Sequence, residues 1–239
     1  MSSSHPRIAL IHATPLSLRP IAVAFSELWP EARTFNVLDD SLAPDKERGD
    51  SAPELMFKRF ADLTRYAVSC GSQAILFTCS AFGAEIAAAR EGYVLPILKP
   101  NEAMVDSAVL RGVHIGVVAT FGPTITTIRA ELEAAGRAVE RTIRCVSEVA
   151  DGAFSALEAG DEHTHDRLVA AAAERLPCVD VILLAQFSMA RARTAVSSVR
   201  PDVPVLTSPH AAVDQLRQRL SPAAGSRPPA KVGGDASRP

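Results

Sequence analysis

Short, mainly apolar runs recur along the chain at residues 8–11, 74–77, 115–119 and 179–185, each closed by polar or turn-forming residues. Runs this short predict strands covered on both faces, as in parallel sheets, rather than helices. Between them the period lengthens. Leu55, Phe60, Leu63 and Ala67 fall on or near one stripe of residues 53–69, the mark of an amphipathic helix. In order, the pattern predicts a strand at 8–11, a helix at 16–28, a strand at 34–38, a charged surface loop at 41–50 and the helix at 53–69. A strand at 74–78, a helix at 81–90, a strand at 94–98 and a helix to about residue 110 follow, with Pro100 suited to the first turn of the last. The series then restarts with a strand at 113–119, a helix to 134, a strand at 139–145 and a helix at 161–175. It closes with a strand at 179–185, a helix at 187–197, a strand at 203–206 and a helix at 209–220. From Ser221 the composition turns to Pro, Gly, Ala and Ser without apolar pattern, which predicts a disordered tail over 221–239. Alternating strands and helices predict an α/β protein with parallel sheets, and ligands outside the carboxyl ends of the strands.

The restart is also visible residue by residue. Arg7-Ile-Ala-Leu-Ile-His-Ala13 lies over His114-Ile-Gly-Val-Val-Ala-Thr120 at a shift of 107 residues (114 minus 7). At the same shift Ala74-Ile-Leu-Phe-Thr-Cys-Ser80 lies over Val181-Ile-Leu-Leu-Ala-Gln-Phe187. Buried strands resemble one another, but one offset holding across two separate strands argues for an internal repeat. Two equivalent strand ends would then face each other across a cleft, with position 79 opposite position 186.

Composition narrows the functions open to such a chain. The 239 residues are 47% apolar with a formal net charge of -2 and few aromatics, which argues against partners among nucleic acids or anionic membranes. The four cysteines are scattered, with no CxxC pair or Cys/His cluster to hold zinc. Residues 1–7 lack the apolar core of a signal peptide, and no apolar run reaches membrane-spanning length. A cytoplasmic protein is expected. No glycine-rich loop follows a strand, which weakens a nucleotide-binding reading.

Chemistry concentrates at Thr78-Cys79-Ser80. A thiol delivered by a strand to a helix start can be held as a thiolate by backbone N–H groups, and the same groups suit a carboxylate docked beside it. The alternative is a core cysteine, since free Cys is among the most buried residues; the hydroxyl flanks and strand-end position favour function. Cys70, Cys145 and Cys178 stand at element edges and read as structural. Ser80, Thr120 and Thr124 could donate to a carboxylate or simply cap helices. Lys99, Asn101 and Glu102 follow a strand end and could reach the cleft, but read rather as the capped start of a helix; His12 and His210, near strand ends, could serve as a missing acid, but read rather as structural or exposed histidines. His163 and His165 read as an exposed helix start capped by Asp161. Opposite Cys79 stands Gln186, which forms hydrogen bonds but does not titrate.

These residues resemble the aspartate/glutamate/hydantoin racemase superfamily over roughly residues 7–220. The matching pieces are 8–15, 74–83, 96–104, 115–124 and 181–190. The resemblance implies two pseudo-symmetric, Rossmann-like or flavodoxin-like α/β lobes with parallel sheets and the active site in the cleft between them. The first lobe would hold residues 7–99 with 209–220, and the second 100–208. It implies cofactor-independent chemistry at a carbon next to a carboxylate, with neither cofactor nor metal. By position Cys79 resembles the first-lobe catalytic cysteine. Ser80 resembles a residue that helps hold the substrate carboxylate, Thr120 its anchor in the second lobe, and Thr14 a residue lining the cleft. Gln186, followed by Phe187 and Ser188, stands where the family usually has a second cysteine; we place Ser188 with the substrate-binding residues.

The expected function is therefore an isomerase-like enzyme that acts on a small amino acid or related acid through one thiolate. Cys79 would be the base, with Gln186 hydrogen-bonding from the other side. The alternatives are a decarboxylase or lyase, or a small-carboxylate-binding protein without turnover. The expected partner is a small carboxylate; the oligomeric state, including a homo-oligomer, is left open.

Overall fold

A computed structural model describes residues 5–49 and 52–221, so the predicted tail beyond Ser221 lies outside the described residues. The apolar runs become the inner strands of two sheets. β1 (Arg7–His12), β2 (Arg33–Leu38), β3 (Ala74–Phe77) and β4 (Ile97–Leu98) form a parallel sheet in the order β2-β1-β3-β4. β5 (His114–Ala119), β6 (Arg144–Val149), β7 (Val181–Leu184) and β8 (Val205–Thr207) repeat it in the order β6-β5-β7-β8. Register repeats as well: Ile8 pairs with Ala74, and at the common shift Ile115 pairs with Val181. All four residues are fully buried, as strands covered on both faces must be.

Helices cover both sheets. In the first half these are α1 (Leu18–Leu28), α2 (Leu42–Arg48), α3 (Pro53–Ser69) and α4 (Gly83–Ala89). α5 (Glu102–Arg111) and α6 (Gly122–Ala138) come next, then α7 (Ala153–Glu158), α8 (Glu162–Arg175), α9 (Arg193–Val199) and α10 (Ser208–Leu220). The last helix of each half crosses to the other half. α5 buries Met104, Val105, Ala108 and Val109 against Ile115, Val117 and Leu183 of the second sheet. α10 returns to the first sheet, where Ala212, Val213 and Leu216 pack with Ile8, Leu10, Leu76 and Phe25. At the crossing Ser208 Oγ donates to Asn101 Oδ1 at 2.7 Å, between positions 107 residues apart. Equivalent positions touch each other where a pseudo-twofold axis passes, so this contact marks that axis.

The structure corrects the sequence reading in several places. Residues 42–48 form α2 rather than a loop: Pro44 falls in the first turn, where its missing N–H is not needed, Lys46 and Arg48 lie in the last turn, and left-handed Gly49 (φ 66°) ends it. The strand expected at 94–98 shrinks to Ile97–Leu98, and Val94 is fully exposed. Pro96 has no N–H to give the ladder, although its carbonyl accepts from Ile75 N–H at 2.9 Å. The strand expected at 139–145 begins instead at Arg144, because α6 runs on to Ala138 and the chain reverses at Glu140, a left-handed residue (φ 55°). α7 was not foreseen. Asp161 does cap α8, accepting from Thr164 N–H at 3.0 Å, but His165 is fully buried rather than exposed.

Candidate active site

β3 and β7 end alike. Cys79 (φ -119°, ψ 119°) is extended and leads into a single 3-10 turn, Ser80–Phe82; Gln186 (φ -127°, ψ 149°) is extended and leads into the 3-10 stretch Phe187–Ala192. Between these ends lies a cleft of about 170 Å³. Thr14, Ser17, Thr78, Cys79 and Ser80 line it from the first lobe, and Gln186 and Ser188 from the second. Asn101 adds a further amide, and Leu16, Phe154 and Phe187 supply apolar wall. No charged side chain is among the lining residues. Of the residues singled out from sequence, the cleft thus brings together Cys79, Gln186, Thr14, Ser80 and Ser188.

Thr120 is placed differently. It does not line the cleft but holds Gln186: its N–H donates to Gln186 Oε1 at 2.9 Å, and Gln186 Nε2 donates back to Thr120 Oγ1 at 2.9 Å. This two-point grip fixes the amide and leaves one Nε2 proton uncommitted. Thr124 and Lys99 are also away from the cleft, and Glu102 pairs with Arg90 at 2.8 Å. His210 faces Thr207 Oγ1 at 2.6 Å and Glu27 at 3.0 Å. Cys70, Cys145 and Cys178 are free thiols outside the cleft.

The environment of Cys79 is a contest between burial and local polarity. Burial pushes its thiol above the ordinary cysteine range; the Ala81 N–H and the charge of Lys46 pull the other way and lose. The helix start behind the thiol is weaker than the sequence suggested, since only one 3-10 turn and the seven residues of α4 follow it. Few aligned peptide dipoles act there. Burial therefore favours the protonated thiol over the thiolate at Cys79.

Beneath the cleft lies a polar cluster that sequence reasoning did not assemble. His12 is fully buried at the end of β1. Its Nδ1 lies 2.9 Å from both Ser17 Oγ and Thr78 Oγ1, these hydroxyls lie 2.9 Å from each other, and Nε2 faces Asn36 Oδ1 at 2.9 Å. Burial holds the imidazole below its usual range, against the raising effect of Asn36. The available signal was a histidine at a strand end with a serine five residues later; the third member, Thr78, comes from a neighbouring strand.

A larger cavity of about 530 Å³ adjoins the cleft and shares Leu16 and Ser188 with it. Its rim carries an ion-pair chain between the lobes, in which Glu162 of α8 meets Arg19 of α1 at 2.7 Å and Arg191 at 2.7 Å.

Two parallel-sheet lobes of one topology, tied by exchanged helices and enclosing a cleft at equivalent strand ends, define a pseudo-symmetric two-lobed α/β protein. A family model described as Asp/Glu/Hydantoin racemase matches residues 19–216, and the chain belongs to that family. Solved structures share the fold. Allantoin racemase from Klebsiella pneumoniae is similar with TM-score 0.68 and 19% identity, covering 89% of this chain and 86% of that one. Aspartate racemase from Picrophilus torridus gives TM-score 0.63 and 15% identity, covering 90% and 94%. Arylmalonate decarboxylase gives TM-score 0.64 and 18% identity, covering 93% and 96%. A search of curated proteins by sequence finds no match.

Proposed function

We propose that this protein is a cofactor-independent enzyme that moves a proton at the carbon next to the carboxylate of a small acid, with Cys79 as its one titrating cleft thiol. The observation that carries this reading is the pairing of strand ends: Cys79 faces a cleft whose equivalent wall offers Gln186, an amide gripped by Thr120. Ser80, Ser188 and Thr14 are placed to hold the carboxylate through hydroxyls, and the uncharged lining suits an acid with a single negative charge. In the thiolate form Cys79 Sγ takes the proton from carbon while the C–H electron pair moves into the carboxylate as an enediolate. The free Nε2 proton of Gln186 supports the negative oxygen, and the thiol returns the proton to the same face. A glutamine opposite the thiol cannot supply the second face.

The high resting pKa of Cys79 favours a second reading, in which the thiol starts as a donor. A substrate would lose CO2 by C–C cleavage, and the electron pair left on carbon would collect the Cys79 proton from one side.

A panel of amino, hydroxy and unsaturated acids incubated in heavy water and followed by NMR tests both. We expect deuterium at the carbon next to the carboxylate without net racemisation, or stereospecific loss of CO2, in either case abolished in a folded Cys79→Ser protein. Full turnover by Cys79→Ser overturns the assignment. Protection of Cys79 from alkylation by a panel acid that is neither exchanged nor decarboxylated points instead to a binding protein.

A further inference from the structure

The cluster around His12 controls which way two cleft hydroxyls can point. Asn36 Oδ1 is an acceptor, so His12 Nε2 carries the proton donated to it, and in the neutral ring Nδ1 is a bare lone pair. That lone pair takes the proton of Ser17 or of Thr78, each 2.9 Å away. The remaining hydroxyl has acceptors inside the protein: its partner's oxygen at 2.9 Å, the Thr14 carbonyl at 3.0 Å for Ser17, or the Ile11 carbonyl at 3.3 Å for Thr78. Both hydroxyl protons are then directed inward, and the cleft meets oxygen lone pairs, which repel an anion. Protonation of Nδ1 adds a donor to the cluster and removes an acceptor, so the hydroxyl that had donated to the ring is free to turn its proton to an anion in the cleft. An anion seated there gains a hydrogen bond and, one hydroxyl away, an imidazolium.

We propose that Ser17 and Thr78 form a carboxylate-anchoring floor of the cleft, keyed by His12, so that the acid binds together with one proton. This rests on the reading of the cleft as a small-carboxylate site and adds the group that sets its polarity; His12 is a positioning residue, since the hydroxyls stand between it and the ligand. Among the described residues, no charged side chain contributes to its shift. Burial and Asn36 account for its shift, and the nearby Asp39 carboxylate is engaged by Arg59 at 2.6 Å and Ser41 Oγ at 2.7 Å. Cys79 shares a small cavity with the ring and is itself held neutral by burial.

The test uses the full chain carrying Cys79→Ser, so that turnover does not consume the probe, and titrates it with sodium phenylacetate, propionate and lactate in the calorimeter. Paired buffers of different ionisation enthalpy at neutral pH report the protons taken up. We expect about one proton per acid bound and an affinity that falls about tenfold per pH unit above neutrality. In addition, His12→Asn should bind with no proton uptake and a flat pH dependence. Nitrogen-15 NMR of the unliganded protein should show neutral His12 as the Nε2–H tautomer. Binding without proton uptake, an Nδ1–H tautomer, or no binding of any of the three acids at high millimolar concentration overturns the proposal. Failure of the thiol assignment appears separately, as turnover by the Cys79→Ser protein.

Discussion

His12 is a titratable group sealed inside the first lobe, and its linkage to folding has a definite sign. Burial, outweighing the Asn36 hydrogen bond, places its folded pKa below the ordinary histidine value of 6.5. Above that pH both folded and unfolded chains carry it neutral, so it contributes nothing to pH dependence. As pH falls through 6.5 the unfolded chain takes a proton that the folded chain resists, and stability declines until the folded pKa is reached. Asp39 acts in a separate window. Burial raises its pKa, but Ser41 and Arg59 outweigh this and lower it, so its contribution is present above the ordinary aspartate value of 3.8 and fades only below it. Urea unfolding of the wild type should therefore weaken between neutrality and mild acid by an amount that His12→Asn lacks. Equal acid slopes in the two proteins would show that the ring titrates freely. The residues most open to sequence reading were those fixed by the repeat. Cys79 and Gln186 follow equivalent strands at one offset, whereas Ser17 and Asn36 meet His12 only because the 3-10 turn Pro15–Ser17 folds back on it and strand β2 runs beside β1. Asn101 could be read from sequence either as a cleft residue or as a helix start, the helix start being favoured, and the structure puts it in the cleft lining.

Among the elements, those whose burial is complete were legible and those held by side-chain ties were not. β1, β3, β5 and β7 are almost wholly buried and announce themselves as apolar runs; β6 is half-buried and has no such run. α2 is short and charged and has weak helical propensity of its own. It is fastened from outside: Arg59 bonds Asp39 and Asp45, and Lys46 Nζ donates to the Ala81 carbonyl at 2.6 Å and Glu85 at 2.9 Å while sitting 4.7 Å from the Phe82 ring. The last three contacts lie on the turn and the start of α4 that follow Cys79, so α2 also carries a cation whose field acts to lower the pKa of that thiol. Lys46 is partly exposed, so its field is screened by salt. Lys46→Met should slow iodoacetamide alkylation of Cys79 by roughly two- to threefold at low salt, and by less at high salt. Lys46→Arg should restore the rate. A rate indifferent to Lys46→Met at low salt would remove α2 from the electrostatics of the site.

At the scale of the whole molecule, the exchanged helices make the two lobes interdependent. The family's two-lobed shape invites the view of two domains that fold separately, yet each sheet is completed by a helix whose sequence belongs to the other half. Residues 5–99 taken alone lose α10, and with it Ala212, Val213 and Leu216, which cover Ile8, Leu10 and Leu76. Phe187, which follows Gln186 in the second half, packs into the same first-lobe core. Re-exposing a buried Leu, Ile or Phe costs about 1.5–3 kcal/mol. Several such losses together are comparable with the about 5–15 kcal/mol that stabilises a typical domain. The exposed ion pair between Arg19 and Glu162 is screened by solvent and decides little. The intact chain should consequently unfold in one calorimetric transition, with van't Hoff and calorimetric enthalpies agreeing. A fragment of residues 1–99 should show neither a cooperative melt nor dispersed amide resonances. Two separate transitions, or a folded fragment, would mean that the helix exchange is decoration on independent lobes. The cleft would then be free to open by lobe motion, instead of being held at the spacing that sets Cys79 against Gln186.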